Sequence, residues 1–134
     1  MKYYIDSCIW RDYLENRSDR FRPLGDWALA LINKIIEEEG IVIYSQLILK
    51  ELIEYMPEQR IKDMLNIFPL KIKVKISKEQ FQTARQVSRK TNIPKNDVLH
   101  AILAGTNNAV LVTRDKHFYE LQKFAVIKKP EELI

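Results

Sequence analysis

The sequence predicts an α/β fold in which a parallel β-sheet is flanked by helices. Short apolar segments alternate with segments whose apolar residues recur at helical spacing, in the order βααβααβααβαβ. The segment Ile41–Tyr44 is apolar throughout, which is typical of a strand that is covered on both faces. A chain of 134 residues without a linker, repeat or low-complexity tract is expected to form one domain over residues 1–134.

The elements of the first half follow from apolar spacing and from residues that begin or end helices. Ser7 is expected to cap the first helix and Ser45 the third, because serine hydroxyls accept hydrogen bonds from the free amides of a first turn. Gly40 is expected to end the second helix. The predicted elements are strand Lys2–Ile5, helix Cys8–Asn16, loop Arg17–Pro23, helix Leu24–Glu39, strand Ile41–Tyr44 and helix Gln46–Tyr55.

The second half is divided by Pro57, which ends the third helix. The alternating sequence LKIKVKI predicts an edge strand with one face in solvent. Ser77 and Gln80 have the spacing of a capping box for the next helix. The predicted elements are helix Glu58–Ile67, strand Leu70–Ile76, a helix ending near Lys90, a helix within Ile93–Phe118 that leads into the buried strand Ala109–Thr113, and a last strand Phe124–Ile127.

The composition indicates an ordered protein of the cytoplasm. Hydrophobic residues make up 46% of the chain and only three residues are glycine, which disfavours disorder. The single cysteine excludes an internal disulfide and fits a reducing compartment. No apolar run approaches the roughly 18 residues that a membrane span needs, and Met1–Ile5 is too short for a signal peptide. We therefore expect no membrane association.

The net charge of +4 leaves two interpretations open. A basic surface around an acidic pocket suits a polyanionic substrate such as nucleic acid. Ordinary solubility charge explains the same balance of 22 basic and 18 acidic residues equally well. The charge alone does not choose between these interpretations.

Four acidic residues fall where a parallel sheet would gather them. Asp6 directly follows the first strand, and Asp115 follows the fourth strand by two residues. Glu51 lies about two turns into the helix after the second strand, and Asp97 lies near the start of the helix before the fourth. Right-handed crossovers place the carboxyl ends of parallel strands at one edge, so we expect these four side chains to share one pocket.

Four carboxylates in one pocket repel one another unless a cation lies among them. Oxygen-only ligands favour Mg²⁺ or Mn²⁺, and such an ion can activate water and bind a phosphate, which is the chemistry of phosphodiester hydrolysis. Lys95, Arg114 and Lys116 are candidates to contact flanking phosphates. Each acid taken alone also has a structural explanation as a turn, cap or solvated helix residue. The case for a metal site depends on the set.

The remaining titratable residues give no competing site. His100 lies on an apolar helix face and is expected to be a buried residue with a satisfied hydrogen bond, whereas His117 is expected to be exposed. Cys8 is expected to be a small core residue. The histidines and the cysteine lack the spacing of a zinc site, and no glycine-rich phosphate loop is present.

Four segments resemble, in chain order, the acidic motifs of PIN-domain ribonucleases, and most closely those of VapC-type toxins: YYIDSCIWRDYL, SQLILKEL, NDVLHAILA and LVTRDKHF. The resemblance covers essentially the whole chain. It implies a three-layer α/β/α domain with a five-stranded sheet of order 3-2-1-4-5, endonucleolytic cleavage of RNA, a homodimer, and an antitoxin partner that blocks the site. It also implies that Asp6, Glu51, Asp97 and Asp115 bind Mg²⁺ or Mn²⁺ and that Ser7 and Thr113 line the pocket.

One position departs from the family pattern. Some members carry a further acid two residues after the fourth one, and here that position is His117. A second metal ion would therefore be less well held than in those members. The resemblance leaves open whether this chain is a toxin or a PIN domain that processes RNA without an antitoxin.

Two other classes of protein fit parts of the sequence. Residues from Ser77 to Asn107, with a turn at Thr91–Pro94, mimic a helix-turn-helix module, but the second helix reads VLHAILA and lacks the polar side chains that read DNA. A doubly wound receiver or phosphatase would need an acid doublet or a lysine after a later strand, and neither pattern is evident.

Overall fold

A computed structural model describes residues 1–134 and contains one five-stranded parallel sheet of order β3-β2-β1-β4-β5. The strands are β1 (Lys2–Ile5), β2 (Ile41–Ser45), β3 (Lys71–Val74), β4 (Val110–Val112) and β5 (Ile127–Lys128). Both the predicted α/β class and the strand order 3-2-1-4-5 are confirmed. As predicted, the strand from the LKIKVKI segment lies at an edge of the sheet.

Six α-helices accompany the sheet. They are α1 (Ser7–Leu14), α2 (Leu24–Glu37), α3 (Gln46–Ile53), α4 (Glu58–Asn66), α5 (Lys78–Thr91) and α6 (Lys95–Thr106), with short 3₁₀ helices at Lys116–Leu121 and Pro130–Glu132. Tyr3, Tyr4 and Ile5 of the central strand are all buried. Because successive strand residues point to opposite faces, the helices cover the sheet on both sides. No helix is long and apolar enough to cross a membrane.

The caps of two helices differ from the prediction. The first helix begins at Ser7, and Asp6 is its N-cap, with Oδ1 accepting from Ser7 N at 2.8 Å. Ser45 lies at the N-cap position of α3, yet its side chain makes no capping bond. The predicted capping box is confirmed, since Ser77 Oγ accepts from Gln80 N and Gln80 Oε1 accepts from Ser77 N.

The last strand begins three residues later than predicted and spans Ile127–Lys128. Phe124 belongs to a turn in which its amide donates to Leu121 O. The turn packs on α6 so closely that a Cβ on Gly105 would lie 1.8 Å from Phe124 O, so only glycine fits there. Strand β5 therefore begins only after the turn that packs against Gly105.

Helix α6 lies inside the molecule, which excludes the helix-turn-helix interpretation. All seven residues from Val98 to Ala104 are buried. A DNA-recognition helix must present its side chains to solvent. The VLHAILA segment instead packs in the core and holds Asp97, in its first turn, beside the carboxyl edge of the sheet.

Candidate active site

All four predicted acids line one cavity of about 230 Å³ at the carboxyl edge of the sheet. The chain reaches it directly after β1, from α3, from the first turn of α6, and just beyond β4. The lining residues are Asp6, Ser7, Cys8, Arg11, Glu51, Glu54, Tyr55, Asp97 and Asp115. The topology thus brings together carboxylates that lie up to 109 positions apart in the sequence, from residue 6 to residue 115.

Asp6 is the most deeply buried of the four acids, with 6% of its surface exposed. Its amide donates to Val112 O at 2.9 Å and so continues the pairing of β1 with β4. Oδ2 accepts from Thr113 Oγ1 at 2.8 Å and from Cys8 Sγ at 3.3 Å. Burial raises the pKa of Asp6 above its ordinary value, although the hydrogen bonds from Thr113 and Cys8 oppose the shift.

Glu51 receives one hydrogen bond on each carboxylate oxygen. Ser7 Oγ donates to Oε1 at 2.8 Å, and His100 Nε2 lies 2.9 Å from Oε2. Burial alone would raise the pKa of Glu51, but the hydrogen bonds from His100 and Ser7 outweigh it and hold the pKa below its ordinary value. Glu51 is therefore an ionised group on the cavity wall.

Asp97 and Asp115 face each other across His117. His117 Nδ1 lies 3.1 Å from Asp97 Oδ2 and 3.3 Å from Asp115 Oδ1. Asp115 is also the N-cap of the 3₁₀ helix that follows, accepting from His117 N at 3.0 Å. Burial, and next the negative charge of Asp115, raise the pKa of Asp97. The two carboxylates therefore repel each other.

Thr113 connects the two halves of the site. It is 3% exposed, and its hydroxyl donates to Asp6 while accepting from Asp115 N at 3.1 Å. Ser7 similarly connects Asp6 and Glu51, because its amide bonds one acid and its hydroxyl the other. These two small polar residues fix the relative positions of three carboxylates.

The three predicted phosphate-contact residues lie outside the cavity lining. Arg114 is 12% exposed and is paired with Asp12 at 3.3 Å and Glu131 at 2.8 Å. Lys95 lines a separate groove beside β3 and α5, and Lys116 is exposed at the start of the 3₁₀ helix next to Asp115.

The structure adds residues that the sequence analysis missed. Arg11, Glu54 and Tyr55 line the cavity, and the guanidinium carbon of Arg11 lies 3.6 Å from the centre of the Tyr55 ring. Helical spacing was the available signal. Arg11 follows Ser7 by four positions on the same face of α1, and Tyr55 follows Glu51 by four positions, just beyond the end of α3.

The predictions for the histidines and Cys8 have mixed outcomes. His100 is buried and hydrogen-bonded, and His117 is exposed, both as predicted. Cys8 packs against the core, as predicted, but it is only partly buried and also lines the cavity, where its thiol donates to Asp6.

The carboxylates of the cavity and the two histidines beside them fit a hard divalent cation. Ligand atoms of Asp6, Glu51 and His100 lie within 4.8 Å of one another, as do those of Asp97, Asp115 and His117. Four of these six groups are carboxylates, the ligands that Mg²⁺ and Mn²⁺ prefer. The raised pKa values of Asp6 and Asp97 have the sign expected for crowded, buried carboxylates that a cation would stabilise in the ionised form.

Comparison with known proteins agrees with this fold. VapBC2 from Rickettsia felis, in a crystal structure with a DNA fragment from their promoter, is 18% identical with a TM-score of 0.67, over 96% of this chain and 98% of that one. FitAcB from Neisseria gonorrhoeae is 15% identical with a TM-score of 0.60, over 98% and 99% of the two chains. No curated protein has a significantly similar sequence. Residues 3–124, which include all four cavity acids, match the PIN domain profile, and the chain therefore belongs to the PIN domain family.

Proposed function

We propose that this chain is a metal-dependent endoribonuclease that hydrolyses RNA phosphodiester bonds, and that it is the toxin of a toxin–antitoxin pair. Membership of the PIN domain family supports a nuclease. The observation that carries the proposal is the convergence of Asp6, Glu51, Asp97 and Asp115 on one cavity. A fold places four carboxylates this close only at a cost in repulsion, which a bound cation removes.

In this proposal the four acids hold Mg²⁺ or Mn²⁺. A divalent ion bound there would lower the pKa of a water molecule and withdraw charge from the scissile phosphate. Ser7 and Thr113 orient the carboxylates through the hydrogen bonds described above. His117 bridges Asp97 and Asp115, so the second half of the site has one imidazole where some family members have a further acid.

Charge and shape at the cavity mouth favour single-stranded RNA. Five of the 18 acidic residues line the cavity, the four predicted acids and Glu54, so the surface outside it is more basic than the net charge of +4 indicates. Arg11 can bind a phosphate, and Tyr55, which is 53% exposed, offers a ring for a base to stack on. Exposed Lys116, adjacent to Asp115, and Lys95 are further candidates for phosphate contacts.

An antitoxin partner and a homodimer complete the proposal. The sequence resembles VapC-type toxins, and the structural relative VapBC2 matches the chain over nearly its whole length. A PIN domain that processes RNA without an antitoxin is the second candidate. The two candidates share the cavity chemistry and differ in the partner.

Cleavage of an end-labelled single-stranded RNA tests the nuclease. We expect products with Mg²⁺ or Mn²⁺, none with EDTA, and none from Asp6→Asn. Asp26→Asn is the matched control, because it removes the same charge from an exposed position on α2. Cleavage that persists in EDTA, or in Asp6→Asn, would contradict the proposal.

Induced expression in a bacterial host separates the two candidates. A toxin stops growth, whereas Asp6→Asn should not. RNA cleavage in vitro without any effect on growth would favour RNA processing over the toxin role.

A further inference from the structure

Three buried polar side chains form a hydrogen-bonded row behind Glu51. His100 Nε2 lies 2.9 Å from Glu51 Oε2, and His100 Nδ1 lies 2.7 Å from the Tyr4 hydroxyl. The Tyr4 hydroxyl lies 2.7 Å from Ser45 Oγ. Tyr4, Ser45 and His100 are each 0% exposed and do not line the cavity. The row thus joins β1, β2 and α6 to one carboxylate on α3.

Hydrogen-bond chemistry gives the row a direction. An ionised carboxylate only accepts, so His100 Nε2 donates to Glu51. A neutral imidazole then accepts at Nδ1 from the Tyr4 hydroxyl, and Ser45 donates to the Tyr4 oxygen. Burial raises the pKa of Tyr4, so its hydroxyl keeps the proton that it donates. Every donor in the row therefore points toward Glu51.

Stability alone does not account for the row. Apolar side chains of the same shape could replace hydrogen-bonded buried groups with little loss of stability, or even a gain. Ser45 occupies the N-cap position of α3, where its hydroxyl could stabilise the helix, yet it contacts Tyr4 instead. The hydrogen bond that the row makes to Glu51 accounts for the presence of these polar side chains.

We propose that His100, Tyr4 and Ser45 are positioning residues that hold the Glu51 carboxylate toward the cation site. The inference rests on the proposed function, in which Glu51 is a metal ligand. With one donor on each oxygen, from Ser7 and from His100, each oxygen keeps a lone pair for a cation in the cavity. The Glu51 side chain is 26% exposed, so loss of His100 frees it to turn toward solvent.

Removal of one hydroxyl from the row tests this role with little change in volume. The variant is Tyr4→Phe, and its control is Tyr3→Phe, the adjacent residue of β1. Tyr3 is also buried, at 1% exposed, but its hydroxyl contacts only the Met1 sulfur, at 3.7 Å. Mn²⁺ affinity is measured by electron paramagnetic resonance below the melting temperature of every variant, and kcat and KM are measured for RNA cleavage.

We expect Tyr4→Phe to weaken Mn²⁺ binding about tenfold and His100→Leu by up to about a hundredfold, as for other residues that orient metal ligands. Tyr3→Phe should bind as the wild type does. His100→Gln should restore most of the affinity lost in His100→Leu, because its amide nitrogen can donate in place of Nε2. In the metal-free protein, ¹⁵N NMR should find the His100 proton on Nε2.

Equal Mn²⁺ affinities for Tyr3→Phe and Tyr4→Phe would overturn the inference, even if Tyr4→Phe melts at a lower temperature. Failure of His100→Gln to recover any affinity would also count against it. If the wild type binds no Mn²⁺ although NMR finds the proton on Nε2, the proposed function fails. The proposed role of the row in positioning Glu51 toward a cation then fails as well. The NMR measurement needs no metal, so it tests the row independently of the nuclease.

Discussion

Replacement of Arg114 by glutamine decides whether this residue stabilises the fold or contacts RNA. The sequence analysis makes Arg114 a candidate for phosphate contact, whereas the structure pairs it with Asp12 and Glu131. Asp12 is 1% exposed and Arg114 only 12%, so the pair is shielded from solvent. The guanidinium also lies 5.4 Å from the Trp27 ring. The contacts tie the loop before Asp115 to α1 and to the last turn of the chain.

The expected loss of stability follows from these contacts. Breaking a buried ion pair costs about 3–5 kcal/mol, and the lower end applies because Asp12 keeps its 2.9 Å contact with Arg17. At about 2.1 cal/mol/K of unfolding entropy per residue, a chain of 134 residues unfolds with roughly 0.28 kcal/mol/K. A loss of about 3 kcal/mol therefore lowers Tm by about 10 °C.

Thermal denaturation by circular dichroism measures this shift, with Lys116→Gln as the control. Lys116 is two positions away and exposed, so the same change of charge there should move Tm by less than about 2 °C. The KM for RNA, measured well below both Tm values, should change less in Arg114→Gln than in Lys116→Gln. An Arg114→Gln variant with unchanged Tm and a severalfold higher KM would refute the structural role.

Four further perturbations test the site and the fold. Asp6→Asn should match or exceed the wild type in Tm, since it removes a buried charge. The raised pKa of Asp6 means that the folded protein binds this proton more tightly than the unfolded chain does. The metal-free wild type should therefore gain stability relative to this variant as pH falls from 7 toward about 4. Millimolar Mn²⁺ should raise Tm in the wild type but not in an Asp97→Asn, Asp115→Asn double variant, and equal shifts would argue against the site. Leu99→Lys should prevent folding, so that no cooperative thermal transition is seen, because Leu99 is 0% exposed in α6 and the lysine charge would be buried without a partner. Tyr55→Leu should raise KM for single-stranded RNA about fivefold or more, since base stacking contributes about 1–3 kcal/mol, and unchanged KM would remove Tyr55 from the substrate path.

The strands and the four acids were predictable because both depend on local pattern. An apolar strand followed by an acid is visible in sequence, and parallel connection brings such positions to one edge. The N-cap of α1 was missed because Asp6 and Ser7 are both good capping residues. Only the fold shows that Asp6 caps the helix and so frees the Ser7 hydroxyl for Glu51.

The partners of the acids could not be predicted, because they depend on contacts between distant elements. His100 is an ordinary residue of an apolar helix until β1 and β2 place two hydroxyls behind it. Arg114 follows β4, but the orientation of its side chain is set by Asp12 and by Glu131, which lies 17 positions later in the sequence. Burial and charge in the folded protein determine these hydrogen-bond and ion-pair partners, and the spacing of residues in the sequence does not predict them.

The two halves of the cavity are prepared to different degrees for a cation. Every oxygen of Asp6 and Glu51 accepts a hydrogen bond from a side chain or amide that is at least partly buried. Asp97 and Asp115 are joined only through His117, whose side chain is 55% exposed. A bound cation would relieve the repulsion between Asp97 and Asp115, so these two residues should contribute most of the stability gained on adding Mn²⁺. For this reason the Asp97, Asp115 double variant is the most sensitive test of the metal, whereas variants of the buried row report on geometry that exists before any ion binds.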